Sequence, residues 1–140
     1  MPKEFHVFVV EDDQVYSSIL CNTLDEMRPY LADRGIALHY TTFYSGEEAI
    51  FELRNDPDLI LLDHHLYNDG LEAGDGLEIL RKVKVYNPNL SVVVVSGDND
   101  PEVEAALLDS GASHFLPKNA ETPARMLEIL LQLNQLDSKE

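Results

Sequence analysis

Four short apolar runs in this chain each end in a residue that can do chemistry: VFVV before Glu11-Asp12-Asp13, LILL before Asp63, VVVV before Ser96, and HFLP before Lys118. Runs so rich in Val, Ile and Leu, bounded by helix-period segments, suit parallel strands buried on both faces. In open α/β sheets, ligands bind outside the carboxyl ends of such strands. Carboxylates, a hydroxyl and an ammonium are therefore expected to converge on one sheet edge.

The segments between the runs read as helices. Leu20, Leu24, Met27 and Leu31 recur at helical spacing after the first run, although Pro29 lacks an amide hydrogen and should kink or end that helix early. Asp13, just ahead of it, suits a helix N-cap better than a site residue. A second strand over about 37–43 leads to Ser45 with Glu48 three residues on, a capping-box pattern, and Asp56-Pro57 breaks the helix that follows. Leu77, Leu80 and Val83 mark a third helix, ended by Asn87-Pro88. Asp100-Pro101 starts a fourth, Gly111 suits its left-handed cap, and Thr122-Pro123 repeats the start signal for a fifth. Strands alternating with helices through right-handed crossovers predict an α/β fold. It is a doubly wound, five-stranded parallel sheet in the flavodoxin-like order 2-1-3-4-5.

A chain of 140 residues has room for one such domain, expected over residues 1–140 with its core at about 5–136 and no effector domain attached. With 10 basic and 26 acidic residues, the formal net charge of −16 repels phosphate backbones and anionic lipid. Nucleic acid and membrane are thus not expected partners, and cations and basic protein surfaces are favoured. No apolar stretch approaches a membrane span and the N-terminus lacks a signal-peptide layout, which points to a cytoplasmic protein. Cys21, the single cysteine, reads as a buried structural thiol.

Glu11, Asp12 and Asp63 together at strand ends are costly neighbours unless a cation neutralises them or protons are taken up. Their oxygen donors suit Mg²⁺, which binds one or two carboxylates and a phosphate oxygen while keeping several waters. That combination points to phosphoryl chemistry: an aspartate as nucleophile, with a metal, a lysine and a hydroxyl stabilising the transferring group. Asp63, Lys118 and Ser96 fill those positions.

These residues resemble the response regulator receiver domain of two-component signalling, over about Phe5 to Leu136. VFVVEDD looks like the family's first strand and acidic pair, which implies a metal site at Glu11 and Asp12. Asp63 in DLILLDHHL matches the phosphoacceptor, and the backbone carbonyl of His65 would complete the metal ligands. Ser96-Gly97 matches the hydroxyl residue and its small successor, GASHFLPKN the segment ending in the lysine, Lys118, and Phe115 the aromatic switch position. His65 and Asp98, two residues beyond Asp63 and Ser96, fall where the family tunes dephosphorylation. The resemblance implies Mg²⁺ as cofactor and a histidine kinase or histidine phosphotransfer protein as phosphoryl donor. It also implies a downstream protein target, with output or homodimerisation through the face of the fourth helix, fifth strand and fifth helix. The wide leucine arc of the last helix, Leu127, Leu131 and Leu136, would add an apolar patch there.

The chain also departs from the family. Tyr67 stands where a proline is usual, and 68–74 reads as an insertion of about five residues beside the site. Asn119 replaces the proline that usually follows the lysine. A receiver-fold interaction module that works without phosphorylation is therefore the alternative function. A transition-metal site at His64 and His65 is disfavoured because neighbours on an extended segment point to opposite faces. A haloacid-dehalogenase-type phosphatase would need a second Asp where His65 stands, and a flavin carrier would need a phosphate-cradling loop where the chain has carboxylates.

Overall fold

The computed structural model describes residues 2–64, 76–97 and 101–135. The elements are β1 (Lys3–Val10), α1 (Gln14–Ala32), β2 (Ile36–Phe43), α2 (Gly46–Phe51) with a 3-10 turn (Glu52–Asn55), β3 (Leu59–Asp63), α3 (Gly76–Tyr86), β4 (Ser91–Ser96), α4 (Pro101–Asp109), β5 (His114–Pro117) and α5 (Thr122–Leu133). The strands form one parallel sheet in the order β2-β1-β3-β4-β5. This is the fold the apolar runs predict.

The period of two along each strand divides the core into two layers. Val7, Val9, Leu59, Leu61, Val93 and Val95 face α1 and α5, while Phe8, Val10, Ile60, Leu62, Val92 and Val94 face α2, α3 and α4. Both faces are covered, so the central strands need no polar residue until their ends. Register then sets the level of those ends: Val10 pairs with Leu62, Asp63 with Val95, and Ser96 with Pro117. Glu11, Asp63, Ser96 and Lys118 follow from these pairs at one edge of the sheet.

The cap signals are met in detail. Asp13 Oδ1 accepts the amides of Val15 (2.9 Å) and Tyr16 (3.3 Å), and Ser45 Oγ accepts Glu48 N at 3.3 Å while donating to Glu48 Oε1 at 3.1 Å. Asp56, at φ 54°, stops the 3-10 turn, and Gly111, at φ 111°, lets Ala112 N return to Leu107 O after α4.

Three expectations need correction. The first helix does not end at Pro29 but runs through it to Ala32, with Asp33 N reaching Pro29 O at 3.1 Å. Proline's own φ is helical, and burial of Leu31 (1% exposed) against the sheet holds the last turn despite the missing amide. Thr122 and Pro123 lie just inside α5 rather than capping it; Glu121 is the N-cap and makes no side-chain capping bond. The leucine arc of α5 is core rather than a patch: Leu131 is buried and Leu127 packs on the same cluster, because the end of the sheet leaves room for a broad helix face. Leu136 lies outside the described residues.

Cys21 is half-buried on α1, and burial pushes its thiol pKa up, which fits an unreactive structural role. Among the described residues, no helix is long and apolar enough to cross a membrane.

Candidate phosphoacceptor site

Glu11 is the first residue beyond β1, and its amide extends the ladder by donating to Phe43 O at 3.0 Å. The backbone is thereby fixed while the side chain turns inward and is almost wholly buried (1% exposed). Asp12 is half-buried, and Asp63 ends β3 inside the protein. One carboxylate oxygen from each of Glu11, Asp12 and Asp63 lies within 4.8 Å of the others. Asp13, pointing at its own helix, takes no part.

Lys118 reaches this cluster from the far side of the sheet. Its amide donates to Ser96 O at 2.8 Å, so the strand ladder carries the stem to the edge. The Nζ then donates to Glu11 Oε1 at 3.1 Å and to Asp63 Oδ1 at 3.2 Å. Ser96 is fully buried beside β5, and Phe115 sits in the second core layer with Leu107 and Ala112.

The electrostatics follow from one ammonium facing three carboxylates. Burial, then a hydrogen bond to Asp63 and its charge, push the Glu11 pKa up to about 8 against the pull of Lys118. Burial works against the Lys118 ammonium, but Asp63 and Glu11 outweigh it and raise its pKa above the ordinary lysine value. The cluster is thus short of positive charge and must hold either a proton or a further cation. An all-oxygen donor set of this spacing is close to the ~4 Å that separates oxygens on opposite sides of Mg²⁺. The residues present fit a hard divalent ion; those that would hold it are Glu11, Asp12 and Asp63. No histidine joins this group among the described residues.

Three further features shape the site. Tyr16, on the first turn of α1, lays its ring 4.3 Å from Lys118 Nζ and roofs the ammonium. The turn after Lys118 is closed by side chains where the family has proline. Asn119 N donates to Thr122 Oγ1 (2.9 Å), Glu121 N to Asn119 Oδ1 (2.8 Å), and Thr122 Oγ1 to Pro117 O (2.6 Å). Gly76 closes the site below: a Cβ there would meet Asp63 O and His64 Cα at 2.8 Å, so α3 can start this close only with glycine. His65, Asp98 and the segment 68–74 lie outside the described residues.

Comparison with known proteins decides the family. A profile of the response regulator receiver domain matches residues 7–131. The chain belongs to this family. NtrC, a DNA-binding transcriptional regulator of Salmonella typhimurium, is 30% identical over 113 residues, covering 80% of this chain and 21% of NtrC. A cyclic di-GMP phosphodiesterase of Thermotoga maritima is 30% identical over 123 residues, covering 88% of this chain and 29% of that protein. The receiver thus spans less than a third of these relatives. Among solved structures, the receiver domain of the Francisella response regulator 1452 superposes with a TM-score of 0.70 at 23% identity, covering 93% of this chain and 97% of that one. A Borrelia burgdorferi CheX–CheY–BeF3–Mg complex gives a TM-score of 0.73 at 21% identity, covering 93% of this chain and 89% of that one. Both agree with the flavodoxin-like receiver fold seen here.

Proposed function

We propose that this receiver takes a phosphoryl group from a phosphohistidine onto Asp63 and, in that state, changes its affinity for another protein. The observation that carries the reading is the buried Asp63 carboxylate, 3.2 Å from Lys118 Nζ and grouped with Glu11 and Asp12 at the sheet edge. A carboxylate oxygen of Asp63 attacks phosphorus, the P–N bond to the donor imidazole breaks, and the departing nitrogen takes a proton from solvent. Lys118, already hydrogen-bonded to the nucleophile, is placed to neutralise charge on the phosphoryl oxygens. Bound at Glu11, Asp12 and Asp63, Mg²⁺ would supply positive charge to those same oxygens, and the His65 carbonyl is the further ligand proposed.

Ser96 and Phe115 form the route outward. A phosphoryl oxygen beside Asp63 offers the buried Ser96 hydroxyl a new acceptor, and Phe115, on the neighbouring strand, packs in the same core layer as Leu107 of α4. A packed core moves between discrete arrangements, so a small inward shift can re-aim a ring and alter a surface by ~1–3 kcal/mol of coupling. The surface served is the face of α4, β5 and α5, where a downstream protein or a second copy would bind; a histidine kinase or phosphotransfer protein would be the donor. His65 and Asp98 are the residues proposed to tune the lifetime of the phosphoryl group.

Intact mass after incubation with acetyl phosphate tests the reading. One phosphoryl mass should appear with Mg²⁺, and disappear with EDTA or in Asp63→Asn. Modification that persists in that variant, or that ignores EDTA, would overturn it.

A further inference from the structure

A large cavity lies away from the phosphoacceptor edge. It opens beside the edge strand β2, under α2, with a volume of about 600 Å³, inside the ~300–1,000 Å³ range of ligand pockets. Its origin is the short second helix: α2 has six residues before it tightens into the 3-10 turn, so it covers Phe43 yet leaves Thr41 exposed and His6 partly so.

The floor is aromatic. Phe8 and Phe43 meet edge to face with ring centres 4.7 Å apart, and His6 stands edge-on to Phe8 at 5.4 Å, its Nε2 paired with Thr41 Oγ1 at 2.7 Å. One wall is Phe51, 64% exposed, which is unusual for so large an apolar side chain on a helix this acidic. The rim is Glu47, Glu48 and Glu52, and no lysine or arginine among the described residues lines the cavity. An apolar floor beside three glutamates favours an amphipathic cation, although Glu52 already lies 4.0 Å from the chain's own Arg54 and accepts from Asn55 at 2.5 Å. The wall already shows that chemistry: Arg54 of the chain itself sets its guanidinium 4.5 Å from the centre of the Phe51 ring.

We infer that this cavity is a docking site for a basic segment of a partner protein, which seats one large apolar side chain against the exposed ring of Phe51, above the buried Phe8 and Phe43, and lays flanking Arg or Lys along the glutamate rim. A segment fits better than a small amine because the three carboxylates are spread along α2 and the turn after it. A single charge cannot face all of them, whereas arginine stems can lie on apolar surface and carry their charges outward. The inference does not depend on phosphorylation of Asp63, because neither that residue, Asp12 nor Lys118 lines the cavity.

The test is a titration of the full chain, followed by ¹H–¹⁵N correlation spectra, with acetyl-Arg-Phe-Arg-amide, acetyl-Arg-Ala-Arg-amide and acetyl-Glu-Phe-Glu-amide. The first peptide should shift the amides of His6, Phe8, Thr41 and Phe43, and the other two should bind at least about tenfold more weakly. Filling the cavity with Thr41→Trp, at an exposed strand position that tolerates an aromatic, should abolish those shifts. Glu47→Gln with Glu52→Gln should weaken binding about threefold. Equal binding of the first two peptides, shifts confined to Glu11 and Asp12, no shifts at all, or a Thr41→Trp variant that binds like the parent would each overturn the inference. Phosphorylation by acetyl phosphate should be unchanged in all these variants, which separates failure here from failure of the phosphoacceptor reading.

Discussion

Replacing Asp63 by Asn should stabilise the protein, although it removes the nucleophile. Glu11 is the reason. Its carboxyl rises from an ordinary 4.5 to about 8 in the folded protein, first through burial and then through the hydrogen bond and charge of Asp63. A folded pKa above the unfolded one means that the stabilising contribution is fully present below pH 4.5 and is lost as pH climbs to about 8. Over that window a shift of this size costs the folded state roughly 4–5 kcal/mol, with burial the largest single cause and Asp63 next. Removing the Asp63 charge should therefore recover about 1–2 kcal/mol at high pH and little in acid. Lys118 keeps Glu11 as a partner at 3.1 Å, and the amide of the Asp63→Asn variant can still accept a hydrogen bond, so the loss on that side is small. Urea unfolding followed by circular dichroism, in EDTA, at about pH 4.5 and about pH 8.5 measures the difference directly. An Asp63→Asn variant no more stable than the parent at the higher pH, or a gap that fails to widen between the two, would refute the account of Glu11.

Lys118→Ala should act in the opposite sense, costing about 1–3 kcal/mol near neutral pH because two buried carboxylates lose their cation, and less in acid, where protons replace it; the same unfolding series reads it. Mg²⁺ affinity measured by calorimetry should rise with pH up to about 8, because the ion must displace the proton held on Glu11, and level off above that. A flat profile would remove Glu11 from the metal site. Tyr16→Leu should cost about 0.5–2 kcal/mol by stripping the ring from the Lys118 ammonium, whereas Tyr16→Phe should be close to the parent in the same assay; equal losses in both would assign the effect to the hydroxyl instead.

Local signals were sufficient for the fold and for bringing Glu11, Asp12, Asp63, Ser96 and Lys118 to one edge of the sheet, whereas His65 and Asp98 lie outside the described residues. A strand buried on both faces must be apolar until it ends, so the first polar residue after LILL or VVVV marks the strand's end as well as a candidate site residue. Asp13 and Ser45 are readable for a similar reason: a cap bonds to amides two or three residues away, and that distance is written in the chain. What tertiary structure alone decided depends on partners far apart in sequence. Lys118 meets Glu11 and Asp63 across 107 and 55 residues, and only the strand register sets those distances. Tyr16 becomes the roof of that ammonium because α1 leaves the edge at one particular angle. Pro29 stays helical and Leu131 becomes core because the sheet beneath them offers apolar surface, a free energy that outweighs local preference and leaves no mark near either residue. The cavity beside β2 belongs to the same class: it is the space left where a short helix fails to cover an edge strand, and space between elements has no sequence pattern of its own.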